Sequence, residues 1–258
     1  MTSVDPQLIS SRENALLKEL RRLAQDSTAY RKQHRVWIEG DHLCRAALAK
    51  GVQPALAVFA ETSWPQARTE FATVAGKTVL VADLLFAGIS ALESPATMAF
   101  VIDLPASPLL DPLAASVILD RVQDAGNVGA VLRSAGAFGF RQVIALKGTA
   151  ALWSPKVLRA GMGAHFGLRL LEAVEPAALD ALAVPILMTS SHHGDLLHQA
   201  KLPWPCAWAL GHEGQGVSDE VGSRSSLAVR IAQPGGEESL NVSCAAAICL
   251  HASACSRH

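Results

Sequence analysis

The feature that most restricts the fold of this chain is an alternation running through its second half. From Ala115 onward, apolar runs suited to strands occur near 116–121, 142–146, 185–189, 206–210 and 227–232, and helix-patterned segments fall near 127–138, 155–163, 176–183 and 240–254. Strands that are apolar along their length and separated by helices belong in a parallel sheet covered on both faces. Ligands of such sheets bind at the carboxyl ends of the strands. Three segments crowded with glycine and polar residues fall at those ends: Asp124-Ala-Gly-Asn127-Val-Gly129-Ala-Val-Leu-Arg133, Gly211-His-Glu213-Gly214-Gln-Gly216, and Gln233-Pro-Gly-Gly-Glu-Glu-Ser239-Leu-Asn241-Val-Ser243.

The first half reads differently. Ser10 and Glu13 have capping-box spacing, and Leu16, Leu17, Leu20, Leu23 and Ala24 recur at helical intervals, which predicts an amphipathic helix over 11–25. Its outer face begins a basic run. Seven cationic side chains between Arg12 and Arg35, among them Lys18, Arg21, Arg22, Arg31, Lys32 and Arg35, stand against Glu13, Glu19 and Asp26. Shorter segments follow, with helices near 41–50 and 66–74 and strands near 36–38, 55–60, 78–82 and 98–103, as in a small α/β domain. Three prolines between Leu104 and Pro112 suit a semi-extended linker. The expected organisation is therefore a domain over 1–105, a linker over 106–114 and a second domain over 115–258.

At a formal charge of −1 and a pI near 6.7, the chain has no global field with which to attract nucleic acid, so any such contact must come from the local basic run. Five cysteines without a CxxC pair suggest free thiols and a reducing compartment. Cys244 and Cys249, on the last expected helix, read as small core residues. No apolar run approaches the ~18 residues of a membrane span, and no signal core opens the chain, so cytoplasmic residence is expected. His192, His193 and His198 lack a carboxylate or cysteine at a recognised metal spacing and read as loop residues.

Each polar segment has a bland explanation when taken alone. Asn127 can simply cap a helix whose Arg133 is solvated, although Gly129 lies one turn before Arg133 and leaves space beside it. The glycines around Glu213 can form a plain turn; they also let backbone groups approach a ligand, and the loop lacks the lysine of a phosphate-binding P-loop. Ser239 can cap the final helix, with Asn241 and Ser243 in its first turn, but capping leaves Glu238 and Asn241 unexplained.

Together, the order Asn-x-Gly-x-x-x-Arg, Gly-x-Glu-Gly-x-Gly and Glu-Ser-Leu-Asn-Val-Ser resembles the SpoU (TrmH) family of RNA ribose 2′-O-methyltransferases over residues 115–254. The segments Ser11-Arg-Glu-Asn-Ala-Leu-Leu-Lys-Glu-Leu and Trp37-Ile-Glu-Gly-Asp-His-Leu look like the ribosomal-protein-like substrate-binding domain that precedes the catalytic domain in ribosomal RNA members. The chain departs from the family pattern at Ala125, where proline is common, and at Gly161, where serine is common.

The resemblance implies a SPOUT fold with a C-terminal trefoil knot, S-adenosylmethionine as cofactor, RNA as substrate, a homodimer, and no metal. Leu210, Gly211, Glu213, Gly214, Ile231, Leu240, Asn241 and Ser243 would line the cofactor site. Asn127, Arg133, Glu213, Ser239 and Asn241 would form the catalytic set, and the basic run would hold RNA phosphates. Structured RNA, 23S ribosomal RNA first, is the expected substrate. Transfer RNA, or RNA binding without catalysis, stand as alternatives, and burial is favoured over base stacking for Trp37.

Overall fold

The computed structural model describes residues 6–90, 94–190, 193–235 and 239–256. Packing divides the chain into two units, residues 1–105 with 153–166, and residues 106–152 with 167–258.

The first unit contains β1 (Gln7–Ile9), α1 (Ala15–Gln25), α2 (Ala29–Gln33), β2 (Arg35–Glu39), α3 (Asp41–Ala49), β3 (Leu56–Ala60), α4 (Trp64–Phe71), β4 (Thr78–Val81), α5 (Asp83–Ala87) and β5 (Met98–Asp103). Its sheet has the order β1-β4-β3-β5-β2, parallel among the first three and antiparallel where β5 pairs with β3 and β2. The helical repeat of α1 buries Leu17, Leu20 and Leu23 against Trp37, Val58, Val79 and Phe86. Trp37 is 2% exposed, as expected of a core residue, and its indole donates to Glu39. The cap of α1 is Asn14, whose side chain accepts from the N–H groups of Leu16 and Leu17, so the expected Ser10 box does not form.

The second unit contains β6 (Ser116–Leu119), α6 (Ala125–Ala137) and β7 (Gln142–Leu146); then comes α7 (Pro155–Gly161), which packs with the first unit. The second unit resumes with β8 (Arg169–Val174), β9 (Ile186–Thr189), β10 (Asp195–Leu196), β11 (Ala207–Leu210), α8 (Asp219–Gly222), β12 (Leu227–Arg230) and α9 (Val242–Cys255). Seven strands pair in parallel in the order β10-β12-β9-β11-β6-β7-β8. The alternation of apolar strands and helices thus yields the expected parallel α/β sheet.

Three expectations change here. Residues 153–166, expected within a second domain over 115–258, group with the first unit. The segment over 176–183 is a short 3-10 helix at Pro176–Ala181, and residues 106–114 pack with the second unit. Asp111 holds that segment in place: its N–H donates to Gln142 Oε1 at 2.8 Å, and its carbonyl accepts from Gln142 Nε2 at 3.1 Å.

Order matters at the middle of this sheet. From β6 the chain steps outward to β7 and β8, then returns to the other side through β9, leaving a switch point between β6 and β11. Helix α6 leaves β6 there and the Gly211–Gly216 loop leaves β11, so two of the polar segments meet where α/β sheets bind ligands.

Helix α9 anchors this end. Trp208 on β11 and Ser253 on α9 are both fully buried, and the indole N–H donates to Ser253 Oγ at 2.8 Å. Ser253→Ala leaves that donor without a partner, and the expected cost is about 1–3 kcal/mol. A urea unfolding midpoint unchanged from wild type would contradict it. Cys249 lies in the core as expected; Cys244 is exposed, because α9 is only half covered. No helix among the described residues is long and apolar enough to cross a membrane.

Candidate active site

The site is built around the carboxylate of Glu213. Its Oε1 accepts from Asp124 N–H at 3.2 Å and from Asn127 Nδ2 at 3.2 Å, and its Oε2 accepts from Gln123 N–H at 3.3 Å. The loop bearing Glu213 therefore clasps the start of α6. Partial burial is the largest single influence on this carboxyl group and raises its pKa. Hydrogen bonds from its own backbone, from Asn127, and from Asp124 and Gln123 outweigh that effect, so the pKa falls below the ordinary carboxylate value and Glu213 is held as an anion.

Asn127 carries the arrangement onward. With its amide nitrogen turned to Glu213, its Oδ1 accepts from Asn241 Nδ2 at 2.9 Å. Asn241 Oδ1 in turn accepts from Ser243 N–H at 2.8 Å, Ser243 Oγ at 2.6 Å and Cys244 N–H at 3.4 Å. A polar chain Glu213–Asn127–Asn241–Ser243 thus joins all three segments. β12 lies two strands from β11 in the sheet, and Asn241, eleven residues past the end of β12, meets Asn127 on α6.

The caps differ from expectation. Asp124 caps α6 by accepting from Asn127 N–H at 2.8 Å, which places Asn127 inside the first turn with its side chain free to link the segments. Asn241 caps α9, not Ser239, and Ser243 is the second residue of that helix. Asp-x-x-Asn is itself the spacing of an Asx cap, so the sequence held the signal for the first correction.

The loop after β11 is tightly closed. His212 and Gly216 exchange backbone hydrogen bonds of 3.0 and 2.8 Å. A Cβ on Gly211 would lie 2.0 Å from the Gly216 carbonyl carbon, so only glycine fits there. By contrast, Gly216 and Gly235 face open space, and a Cβ on Gly214 would meet nothing nearer than 3.8 Å.

Leu210 is buried, and its carbonyl accepts from Asp120 N–H; Ile231 is half-buried just beyond β12. Leu240 is 39% exposed. Ser239 and Arg133 are exposed and make no side-chain hydrogen bond among the described residues, so neither joins the polar chain. Gly236 to Glu238 and His192 lie outside the described residues. Gln233 Oε1 is buried and has no hydrogen-bond partner among the described residues. No group of three metal-ligating side chains occurs among the described residues.

In the first unit, Lys18, Arg21, Arg22, Gln25 and Asp26 line a groove of about 420 Å³. Several of the expected phosphate contacts are engaged within the protein. Lys18 pairs with Glu13 at 2.5 Å, Arg21 donates to the Gly88 carbonyl at 3.1 Å, Arg31 donates to Tyr30 Oη at 3.0 Å, and Arg35 lies 3.7 Å from Glu19. The side chains of Arg22 and Lys32 are exposed and make no hydrogen bond among the described residues.

The residues missed by sequence reasoning are those that shape the loop: Asp120, Arg121, Gln215 and Ser218. Only Asp120 carried a signal, a charged residue directly after an apolar strand.

Residues 114–251 match the SpoU rRNA Methylase family. The chain is 29% identical to the 23S rRNA (guanosine(2553)-2′-O)-methyltransferase of Bacillus subtilis, over 94% of this chain and 97% of that protein. It is 34% identical to a 23S rRNA (guanosine-2′-O-)-methyltransferase of Bordetella pertussis, over 64% of this chain and 69% of that protein. A crystal structure described as an RNA 2′-O ribose methyltransferase superposes with a TM-score of 0.81 at 30% identity, covering 97% of this chain and 99% of that one.

Proposed function

This chain belongs to the SpoU rRNA methylase family, and from that premise we propose that it transfers a methyl group from S-adenosylmethionine to a ribose 2′-hydroxyl of ribosomal RNA. The observation that carries this reading is the polar chain Glu213–Asn127–Asn241–Ser243, which draws the three glycine-rich segments to one switch point. The names of these two relatives support ribosomal RNA, 23S first, over transfer RNA.

The residues fit such a cofactor. Open space beside Gly216 and Gly235 admits a ligand against bare backbone, and the buried Gln233 Oε1 offers an acceptor that lacks a donor among the described residues. Leu210, Gly211, Ile231 and Leu240 would supply apolar and backbone walls, with Asn241 and Ser243 at the polar edge. The bound cofactor supplies an electrophilic methyl group on a sulfonium centre.

What remains for the protein is alignment of the hydroxyl oxygen and disposal of its proton. Arg133 is an exposed cation on α6, six residues after Asn127. A guanidinium is a donor with no free acceptor for a proton, so the role of Arg133 is to fix the acceptor ribose through the adjoining phosphate and to stabilise charge developing on the 2′-oxygen, while the proton passes to solvent. Glu213 keeps Asn127 oriented, and Asn127 keeps Asn241 oriented. Ser239, exposed two residues before Asn241, would hydrogen-bond the ribose.

The hydrogen bond that Asn241 makes to Asn127 on α6, although β12 lies two strands from β11, supports a trefoil knot in the C-terminal segment. The uncharged exposed stripe of α9, with Cys244 and Ile248, supports a second copy of the chain as partner. Residues 1–105 would serve as the ribosomal-protein-like RNA-binding domain, with Arg22 and Lys32 free for phosphates and Lys18, Arg21, Arg31 and Arg35 giving up internal partners to join them.

The test uses purified protein, methyl-labelled S-adenosylmethionine and unmodified 23S ribosomal RNA. Label is expected in the RNA at a nucleotide that resists alkaline cleavage on its 3′ side, the signature of a 2′-O-methyl group. Binding of ATP but not S-adenosylmethionine, or label on a base, would overturn the reading.

A further inference from the structure

Arg121 lies outside all three polar segments, yet its environment is unusually determined. It adopts φ +61°, the left-handed region that costs a non-glycine residue roughly 1 kcal/mol or more. The surroundings are shaped to hold it there. Its N–H donates to Thr149 Oγ1 at 3.1 Å, and that hydroxyl donates to the Leu119 carbonyl at 2.8 Å. Gly148 clears its stem: a Cβ at that position would lie 3.2 Å from Arg121 Cγ.

The guanidinium then reaches in two directions. Its Nε donates to Asp120 Oδ1 at 3.0 Å, and its Nη1 donates to Gln215 Oε1 at 2.8 Å. Asp120 is 2% exposed, and its other oxygen accepts from Ser218 N–H at 2.6 Å. Gln215 sits at the tip of the Gly211–Gly216 loop and Ser218 lies just past its base, so one buried carboxylate and one arginine grip both parts of the loop.

We infer that Arg121 is a positioning residue for the cofactor loop: anchored on buried Asp120, it holds Gln215 and thereby the loop position from which Glu213 clasps α6. The Glu213 side chain must meet three donors on the other segment, and a loop tip free to swing would lose them. A guanidinium suits this task because its planar fork serves two acceptors at once, which an ammonium on a flexible stem does less well. The consequence for cofactor affinity rests on the reading that this loop binds S-adenosylmethionine; the brace itself does not.

Two variants test it. Arg121→Gly removes the side chain while suiting the left-handed backbone, and Gln215→Ala removes only the exposed far end of the brace. In full-length protein, amide hydrogen exchange across residues 212–217 is expected to accelerate in both. The dissociation constant for S-adenosylmethionine is expected to rise about tenfold in Arg121→Gly, with the maximal rate at saturating cofactor changed by less than about threefold. The double variant is expected to be no weaker than Arg121→Gly alone, since both changes break one link. Arg121→Lys is expected to recover only part of the affinity.

Unchanged exchange at 212–217 in both variants would overturn the brace. Faster exchange with unchanged cofactor affinity would overturn its positioning role. If wild-type protein fails to bind S-adenosylmethionine, the reading of the site fails, and the exchange data alone decide the brace.

Discussion

Arg133→Ala is expected to lower methyl transfer to RNA by at least about 100-fold, the usual scale for losing one preorganised group that stabilises charge at the transition state. Cofactor affinity should stay within about twofold, because Arg133 makes no hydrogen bond to the Glu213–Asn127–Asn241 chain that would shape the pocket. Arg133 is exposed on α6. An internally paired guanidinium would have to break a contact before meeting substrate, whereas this one is free among the described residues to take a phosphate. Arg133→Lys separates the two parts of its role. A lysine keeps the charge and loses the fork, so it should recover RNA affinity more than rate. Near-wild-type turnover of Arg133→Ala in a single-turnover assay with saturating RNA would remove Arg133 from the mechanism.

How legible this site was depended on what each residue needed from the rest of the fold. The parallel sheet followed from apolar runs alone, since a strand buried on both faces must be apolar throughout. Helix α6 began two residues earlier than expected, because Asp124 out-competed Asn127 for the cap. That displacement is what frees the Asn127 side chain to bridge Glu213 and Asn241. A similar exchange occurred at α9, where Asn241 caps in place of Ser239. Local rules could say that a cap stands near these positions but not which candidate takes it, because the choice is set by contacts more than 80 residues apart in sequence, such as 86 between Asn127 and Glu213. Arg121 was invisible for the same reason. Its left-handed backbone and its two acceptors exist only once β6 and β11 are paired and the loop after β11 has closed.

Asn241 does two jobs at once, and two substitutions should separate them. Its Oδ1 caps α9 through the N–H groups of Ser243 and Cys244, and its Nδ2 donates to Asn127. Asn241→Ala removes both functions. The lost cap should cost about 1 kcal/mol of stability, and methyl transfer should fall steeply as the third segment is released from the first. Asn241→Asp keeps the acceptor, and its charge is favoured at a helix amino end, so the thermal midpoint should remain close to wild type. Activity should still fall by roughly tenfold or more, on the order of one charge-linked hydrogen bond. The carboxylate would face Asn127 Oδ1, two acceptors without a proton between them. Asn127 cannot relieve this by turning its amide over, because its carbonyl oxygen would then meet the Glu213 carboxylate, which is held as an anion. Every orientation in this chain of amides is fixed by the charge at its far end, so exchanging one nitrogen for oxygen frustrates the whole line. Full activity in Asn241→Asp would show that the bond between Asn241 and Asn127 is dispensable. A loss of stability equal to that of Asn241→Ala would show that the cap depends on the amide itself.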